Sequence, residues 1–430
     1  LNKRKGLVAL SPLLILIAFI IIFTIYSVDK AESEPNLSLS VAFMISSIYA
    51  IIISGGLPIK KRIDTYSKGA GATNLMLMLW IYVLAGAFAA SAKEMGAIDA
   101  TVNLALQLLP ANLLLPGLFL AACFISISIG TSVGTVVALV PIAAGISHST
   151  AFNPALMTAT IVGGAYFGDN LSFISDTTVV ATQTQGCKMN DKFRVNFSIV
   201  APSAFLILLC YWILGKNMTI PTEVPQVDYI KILPYLLVLV TAVAGMNVMA
   251  VLTLGLVLCG IIGVASGDYN VYGWFAAMGD GILGMGELVI IAMMAGGMLE
   301  IIRENGGIDF IINKLTRRIT GKRGAELSIA ALVSMVNICT ANNTVAILTV
   351  GNISKKIGDR FGVDSRKAAS ILDTFSCCVQ GLIPYGVQML LAAGLSGLNP
   401  IQILPYLYYP MAIGIASLLA IIFRFPRKYS

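Results

Sequence analysis

Asp169 and Asp176 stand among Asn170, Ser172, Ser175, Thr177 and Thr178 in a polar break within an otherwise apolar stretch. Asp373 lies in a later apolar stretch, followed by Ser376 and Gln380. An ionised side chain in hydrocarbon costs on the order of 3 kcal/mol unless it is paired, hydrated or ion-bound, so each aspartate is a functional candidate. Carboxylate, hydroxyl and amide oxygens are hard donors, suited to a small cation. Broken helices add backbone carbonyls and oriented helix ends to such a set. Together these are the materials of a sodium site. One aspartate can hold either a proton or a sodium ion, because burial favours the neutral acid and a nearby cation favours the carboxylate. The plainer alternative is that Asp169 or Asp176 caps a half-helix, and that Asp373 is paired structurally near the end of its helix.

The elements positioning these residues must cross a membrane. Hydrophobic residues make up 57% of the 430 residues, charged residues only 11%, and mean hydropathy is +0.87. These values do not fit a soluble globule, and several runs reach the roughly 20 residues that span a bilayer. The net charge of +7 does not point to nucleic acid, because the basic residues fall in short clusters between apolar runs. Alternating the spans places twenty-four Lys and Arg on one side, against Lys30, Lys93, Lys216 and Lys231 on the other. That asymmetry predicts a multi-pass protein of the cell inner (plasma) membrane with cytoplasmic N- and C-termini. The span at 7–28 is read as a retained helix rather than a leader. Seven scattered cysteines without metal spacing are expected to be free thiols.

The phrase Lys93-Glu94-Met95-Gly96-Ala97-Ile98-Asp99 recurs as Arg303-Glu304-Asn305-Gly306-Gly307-Ile308-Asp309. Residues 100–112 after the first copy hold no Lys or Arg, whereas Lys314, Arg317, Arg318, Lys322 and Arg323 follow the second. The copies should therefore face opposite sides of the membrane, which makes an inverted repeat. The fold class expected is an all-α polytopic membrane protein with two inverted-topology repeats, each holding a re-entrant hairpin and a broken helix, in an elevator-type transporter. Residues 1–71 supply N-terminal scaffold helices. The first repeat core is 72–215, with a hairpin at 113–147 and a broken helix at 154–185. A linker at 216–230 and scaffold helices at 231–283 lead to the second core, 284–423, with a hairpin at 325–354 and a broken helix at 366–395. Aligning the hairpin tips pairs Thr131 with Thr340 and Thr135 with Thr344, at an offset of 209.

The string Gly163-Gly164-Ala165-Tyr166-Phe167-Gly168-Asp169-Asn170-Leu171-Ser172-Phe173-Ile174-Ser175-Asp176-Thr177-Thr178 resembles the NhaC-type sodium/proton antiporter family of the ion transporter superfamily. Gly130-Thr131-Ser132-Val133-Gly134-Thr135 resembles that family's first hairpin, and Asn342-Asn343-Thr344 the superfamily's asparagine-threonine tip. Phe173 replaces the family's usual proline, and Lys192 a histidine common in better-studied members. The resemblance implies hairpins and broken helices that move against a scaffold, and such scaffolds often form homodimers.

The translocation set is therefore expected to be Thr131, Ser132, Thr135, Asp169, Asn170, Ser172, Ser175, Asp176, Thr177, Asn342, Asn343, Thr344, Asp373 and Ser376. Asp169, Asp176, Asn342 and Asn343 are expected to hold sodium. Partners are the lipid bilayer, sodium and protons, and no cofactor is called for. The alternative cargo is a small carboxylate or amino acid, since relatives of the family are assigned to malate/lactate exchange and amino-acid transport. No Lys or Arg is read as lying mid-span to bind a carboxylate, which favours the cation. An intramembrane enzyme is disfavoured. Tyr166-Phe167-Gly168-Asp169 lacks the first glycine of the aspartyl-protease Gly-x-Gly-Asp sequence, and His148 is the only histidine.

Overall fold

The computed structural model describes residues 3–28, 39–55, 58–150, 152–216, 218, 225–317 and 319–429. Part of the expected linker, including Pro221 and Glu223, lies outside them, as does Lys30. The first half runs through α1 (Lys3–Val28), α2 (Leu39–Ile53), α3 (Ile59–Ala70), α4 (Thr73–Glu94) and α5 (Ala97–Leu108). It continues through α6 (Ala111–Ile129), α7 (Ser132–Thr150), α8 (Pro154–Leu171), α9 (Asp176–Gln185) and α10 (Met189–Gly215). The second half opens with α11 (Tyr229–Val243), α12 (Val248–Ser266), α13 (Val271–Gly284), α14 (Gly286–Glu304) and α15 (Gly307–Thr316). It closes with α16 (Gly321–Thr340), α17 (Asn343–Phe361), α18 (Ser365–Leu382), α19 (Val387–Ser396), α20 (Pro400–Ile403) and α21 (Tyr408–Ile422).

The protein is an all-helical polytopic membrane protein. Among the described residues, seven helical stretches are long and apolar enough to cross a bilayer, or eight if the bent pair ending at Ile422 is one span. Its apolar surface fits a lipid solvent: Leu206, Ile261 and Ile415 are more than three-fifths exposed, while Tyr166, Asn170 and Asp373 are fully enclosed. The polar groups therefore point inward, as a hydrocarbon surround requires.

Two layers form. In one, α13 packs on α4 and α3 on α14, with α2 against α14 and α12 against α4. In the other, α8 lies between α6 and α7, and α18 between α16 and α17. The short segments cross over, α9 packing on α17 and α19 on α7. This packing sets α4 and α14, read from the sequence as part of the repeat cores, against the peripheral helices α2, α3, α12 and α13. Two helices were not anticipated. α3 is basic through Lys60, Lys61, Arg62 and Lys68 and reads as a charged loop, while α13 is interrupted by Gly273, Gly279 and Gly281.

Local chemistry fixes the breaks around the centre. Asn153 caps α8 by accepting from the backbone N–H of Ala155 at 2.9 Å, with Pro154 in the first turn. Gly130 ends α6 in the left-handed region at φ 74°, and Ala341 ends α16 at φ 50°. Gly168 allows α8 to lie against α6, because a Cβ there would overlap Ser126. The left-handed residues also correct the tip register. Gly130 corresponds to Ala341, so Thr131 matches Asn342 and Ser132 matches Asn343, an offset of 211 rather than 209. The starts of α9 and α19, at Asp176 and Val387, keep the same spacing.

Candidate ion-binding site

Both hairpin tips and both helix breaks line one cavity of about 270 Å³. The first tip contributes Gly130, Thr131, Ser132 and Val133, and the first break Asp169, Ser175, Asp176 and Thr177. The second tip contributes Asn342, Asn343, Thr344 and Val345, and the second break Gln380, Val387 and Gln388. Leu77 and Met78 of α4 form part of the wall. A neighbouring cavity of about 370 Å³ shares Met78, Asn342, Val345 and Val387 and reaches Glu300 and Arg303.

Asp169 is the buried carboxylate of this chamber, 4% exposed. Its Oδ2 accepts from the Ser132 hydroxyl at 2.6 Å and its Oδ1 from the Ser132 backbone N–H at 3.1 Å. Ser132 is the first residue of α7, so the positive end of that helix dipole faces the carboxylate. A relay joins the halves. Gln388 Nε2 donates to Ser132 Oγ at 3.0 Å, Gln380 Nε2 donates to Gln388 Oε1 at 3.2 Å, and Gln380 Nε2 also donates to the Ala341 carbonyl at 3.0 Å. Asp169 is thus tied through side chains to the opposite tip. The Asp169 carbonyl accepts from Thr177 and Thr178, each at 3.3 Å, which holds the start of α9 beside the end of α8.

The expected residues divide by geometry. Thr131, Ser132, Asp169, Ser175, Asp176, Thr177, Asn342, Asn343 and Thr344 line the chamber. Asp176 is exposed at its edge, whereas Asp169 is enclosed. Asn342 Oδ1 caps α17 by accepting from Val345 N–H at 3.0 Å, and Asn343 is buried against Cys377. Thr135 bonds back to the Thr131 carbonyl, and Ser172 donates to the Ile127 carbonyl at 2.8 Å, so these two hydroxyls hold backbone.

Asn170, Asp373 and Ser376 belong to a second cluster, and it contains an unexpected cation. Lys192 is 1% exposed, and its Nζ lies 2.7 Å from Asp373 Oδ2. The same ammonium donates to the Asn170 carbonyl at 2.8 Å and to Thr178 Oγ1 at 2.7 Å. Asn196 Nδ2 donates to Asp373 Oδ2 at 2.8 Å and to the Asn170 carbonyl at 2.9 Å. Asn170 Nδ2 reaches Asp373 at 3.4 Å, its Oδ1 accepts from Tyr409, and Ser376 donates to the Asp373 carbonyl while its own carbonyl accepts from Asn337. The structural pairing considered for Asp373 is therefore present. No Lys or Arg was expected mid-span to bind a carboxylate; Lys192, read as a loop residue, folds its apolar stem back from the first turn of α10 to the break after α8 and pairs there with Asp373. Removing one partner of such a buried pair costs about 3–5 kcal/mol.

Gln388, Lys192 and Asn196 are the site residues the sequence reading missed. Gln388 had a faint signal, a polar side chain two residues after Gly386 in an apolar run. Lys192 and Asn196 had no comparable signal, because their partners are brought to them only by the packing of α10 on α8 and α18.

Polar helix interruptions gathered on one internal cavity of a multi-pass helical protein define the class: an integral membrane protein with an enclosed polar site. The model of the Na+/H+ antiporter family matches residues 6–216 and 219–426, and the chain belongs to that family. It is 24% identical to the Na(+)/H(+) antiporter NhaC of Alkalihalophilus pseudofirmus, over 95% of this chain and 94% of that protein. It is also 20% identical to the malate-2H(+)/Na(+)-lactate antiporter of Bacillus subtilis, over 96% and 93% of the two chains. Among solved structures, the Alcanivorax borkumensis YdaH transporter matches with a TM-score of 0.41 at 14% identity, covering 98% of this chain and 99% of that one.

Proposed function

We propose that this protein exchanges sodium ions for protons across the cell membrane by alternating access, with Asp169 as the carboxylate both cations share. The observation that carries this reading is that Asp169 is enclosed in a chamber lined by all four interruptions, one hairpin tip and one helix break from each half. Movement of either hairpin would change access to the same carboxylate. Membership of the Na+/H+ antiporter family supports the same reading.

The two halves are read as inverted-topology repeats. The exchange of partners supports this, α3 on α14 answering α13 on α4, together with the constant spacing of tips and breaks. The charge asymmetry supports cytoplasmic termini in the plasma membrane. The layer holding hairpins and broken helices is read as moving against the peripheral layer, the elevator arrangement that the family resemblance implies. That peripheral layer is the surface through which a homodimer would form.

The test is sodium-driven proton movement in proteoliposomes containing only the purified protein. Exchange without organic solutes is expected. Transport that appears only when a small carboxylate or amino acid is added would replace this reading with the second one. Two observations favour that second reading, coupled exchange of a small carboxylate or amino acid. The chamber is larger than a bare ion needs, and the amides of Asn342, Asn343 and Gln388 supply donors for an organic anion.

A further inference from the structure

The Lys192 ammonium sits among the kind of ligands that hold a hard cation: a carboxylate (Asp373), a carbonyl at the end of a broken helix (Asn170) and a hydroxyl (Thr178), all within 2.8 Å. The surrounding groups have further oxygen to offer. Asp373 Oδ1 and Asn196 Oδ1 are buried with no hydrogen-bond partner among the described residues. An ammonium on a four-carbon stem and a sodium ion carry the same charge, but the ammonium is covalently held and cannot be released.

We propose that Lys192 is a built-in cation: it fills a second sodium position formed by Asp373, Asn170 and Thr178, and so limits the protein to one bound sodium, at Asp169. The three oxygens converge on one Nζ, and the side chain arrives through an enclosed path. A lysine needed only to orient the chain at the membrane surface would keep its charge in water. The cluster is contiguous with the chamber through the backbone, since the Asp169 and Asn170 carbonyls are neighbours, the first accepting from Thr178 and the second from Lys192. With the ammonium removed, Asp373 would be a buried carboxylate lacking a counter-charge, and sodium would be the available ion to supply it. Lys192 is in this sense a residue that sets ion number. The inference rests on the proposed sodium reading only for the first ion.

The experiment is equilibrium binding of radioactive sodium to the purified full chain in detergent, compared for wild type, Lys192→Ala and Lys192→Ala/Asp373→Asn. Wild type should bind one sodium per chain, Lys192→Ala two, and the double variant one. Thermal unfolding in sodium chloride against choline chloride gives a second readout, and Lys192→Ala should gain more from sodium than wild type does. A folded Lys192→Ala protein that binds one sodium overturns the inference. So does a Lys192→Ala protein recovered folded only when Asp373→Asn is added, whatever the sodium concentration, because Lys192 would then be a structural partner only. Wild type that binds no sodium would instead overturn the reading of the Asp169 chamber.

Discussion

Replacing Asp169 by Asn separates its charge from its shape. The amide keeps one acceptor for Ser132, whose hydroxyl and N–H now reach the carboxylate at 2.6 and 3.1 Å. It cannot satisfy both donors from both oxygens, and it removes the one enclosed carboxylate that lines the chamber among the described residues. Two unit charges at about 4 Å interact by about 4 kcal/mol at an effective dielectric of about 20. Since about 1.4 kcal/mol is a tenfold change in affinity, sodium should bind Asp169→Asn about three orders of magnitude more weakly. The loss of charge-assisted bonding at Ser132 should cost about 1–2 kcal/mol of stability, which leaves a folded protein. Calorimetric sodium titration measures the first effect and thermal unfolding the second, while proteoliposome flux reports exchange. A folded Asp169→Asn protein with sodium affinity within threefold of wild type, or with exchange at the wild-type rate, would refute the assignment.

Other outcomes follow from the same geometry. For a shared carboxylate, apparent sodium affinity should weaken about tenfold per pH unit of acidification while the acid form dominates, and level off above that range; affinity unchanged from about pH 5.5 to 9 would contradict competition. Asp176→Asn should change sodium affinity by only about three- to tenfold with turnover retained, because Asp176 is exposed at the edge of the chamber and its charge is screened; complete loss of exchange in a folded protein would promote it to the main ligand. Gly168→Ala should destabilise by about 1–3 kcal/mol and reduce exchange, because the new methyl pushes α8 from Ser126 and shifts Asp169 with it; an unchanged unfolding temperature would count against that packing. Asp364 caps α18, and its bonds to Arg366 hold the carboxyl below the ordinary aspartate range. Asp364→Ala should therefore lower stability by about 1 kcal/mol at neutral pH. That deficit should shrink as acid below about pH 4 protonates the native carboxyl too, a trend that unfolding scans across pH would check.

The parts of the fold that depend on apolar length were legible in the sequence, and so was the polar break holding Asp169. Hydropathy locates spans because the lipid requirement acts residue by residue. It failed at α3, whose exposed face is basic, and at α13, whose glycines blur an apolar run. The hairpin register was misjudged by two residues because matching threonines were weighted above backbone conformation. Gly130 and Ala341 share a left-handed geometry that no identity of side chain advertises. At the site, Asp169 was visible through its own type and neighbours. The Gln380–Gln388 relay and the Lys192–Asp373 pair were not, because each joins positions made adjacent by helix packing.

On the proposed repeat, the spacing of 211 pairs positions of unlike chemistry. Asp169 in the first half corresponds to Gln380 in the second, and Thr177 to Gln388. Asp169 accepts from the N–H of its own tip at Ser132, whereas Gln380 donates to the carbonyl of its tip at Ala341. A carboxylate could fill the first role in its ionised form, but in the second it would have no hydrogen to donate. The first half therefore supplies the enclosed negative charge and the second a neutral amide that leaves it uncompensated. On the proposed repeat and exchange, similar hairpins would give the chamber two routes of access, while this difference in hydrogen-bond direction would confine the shared ion site to Asp169.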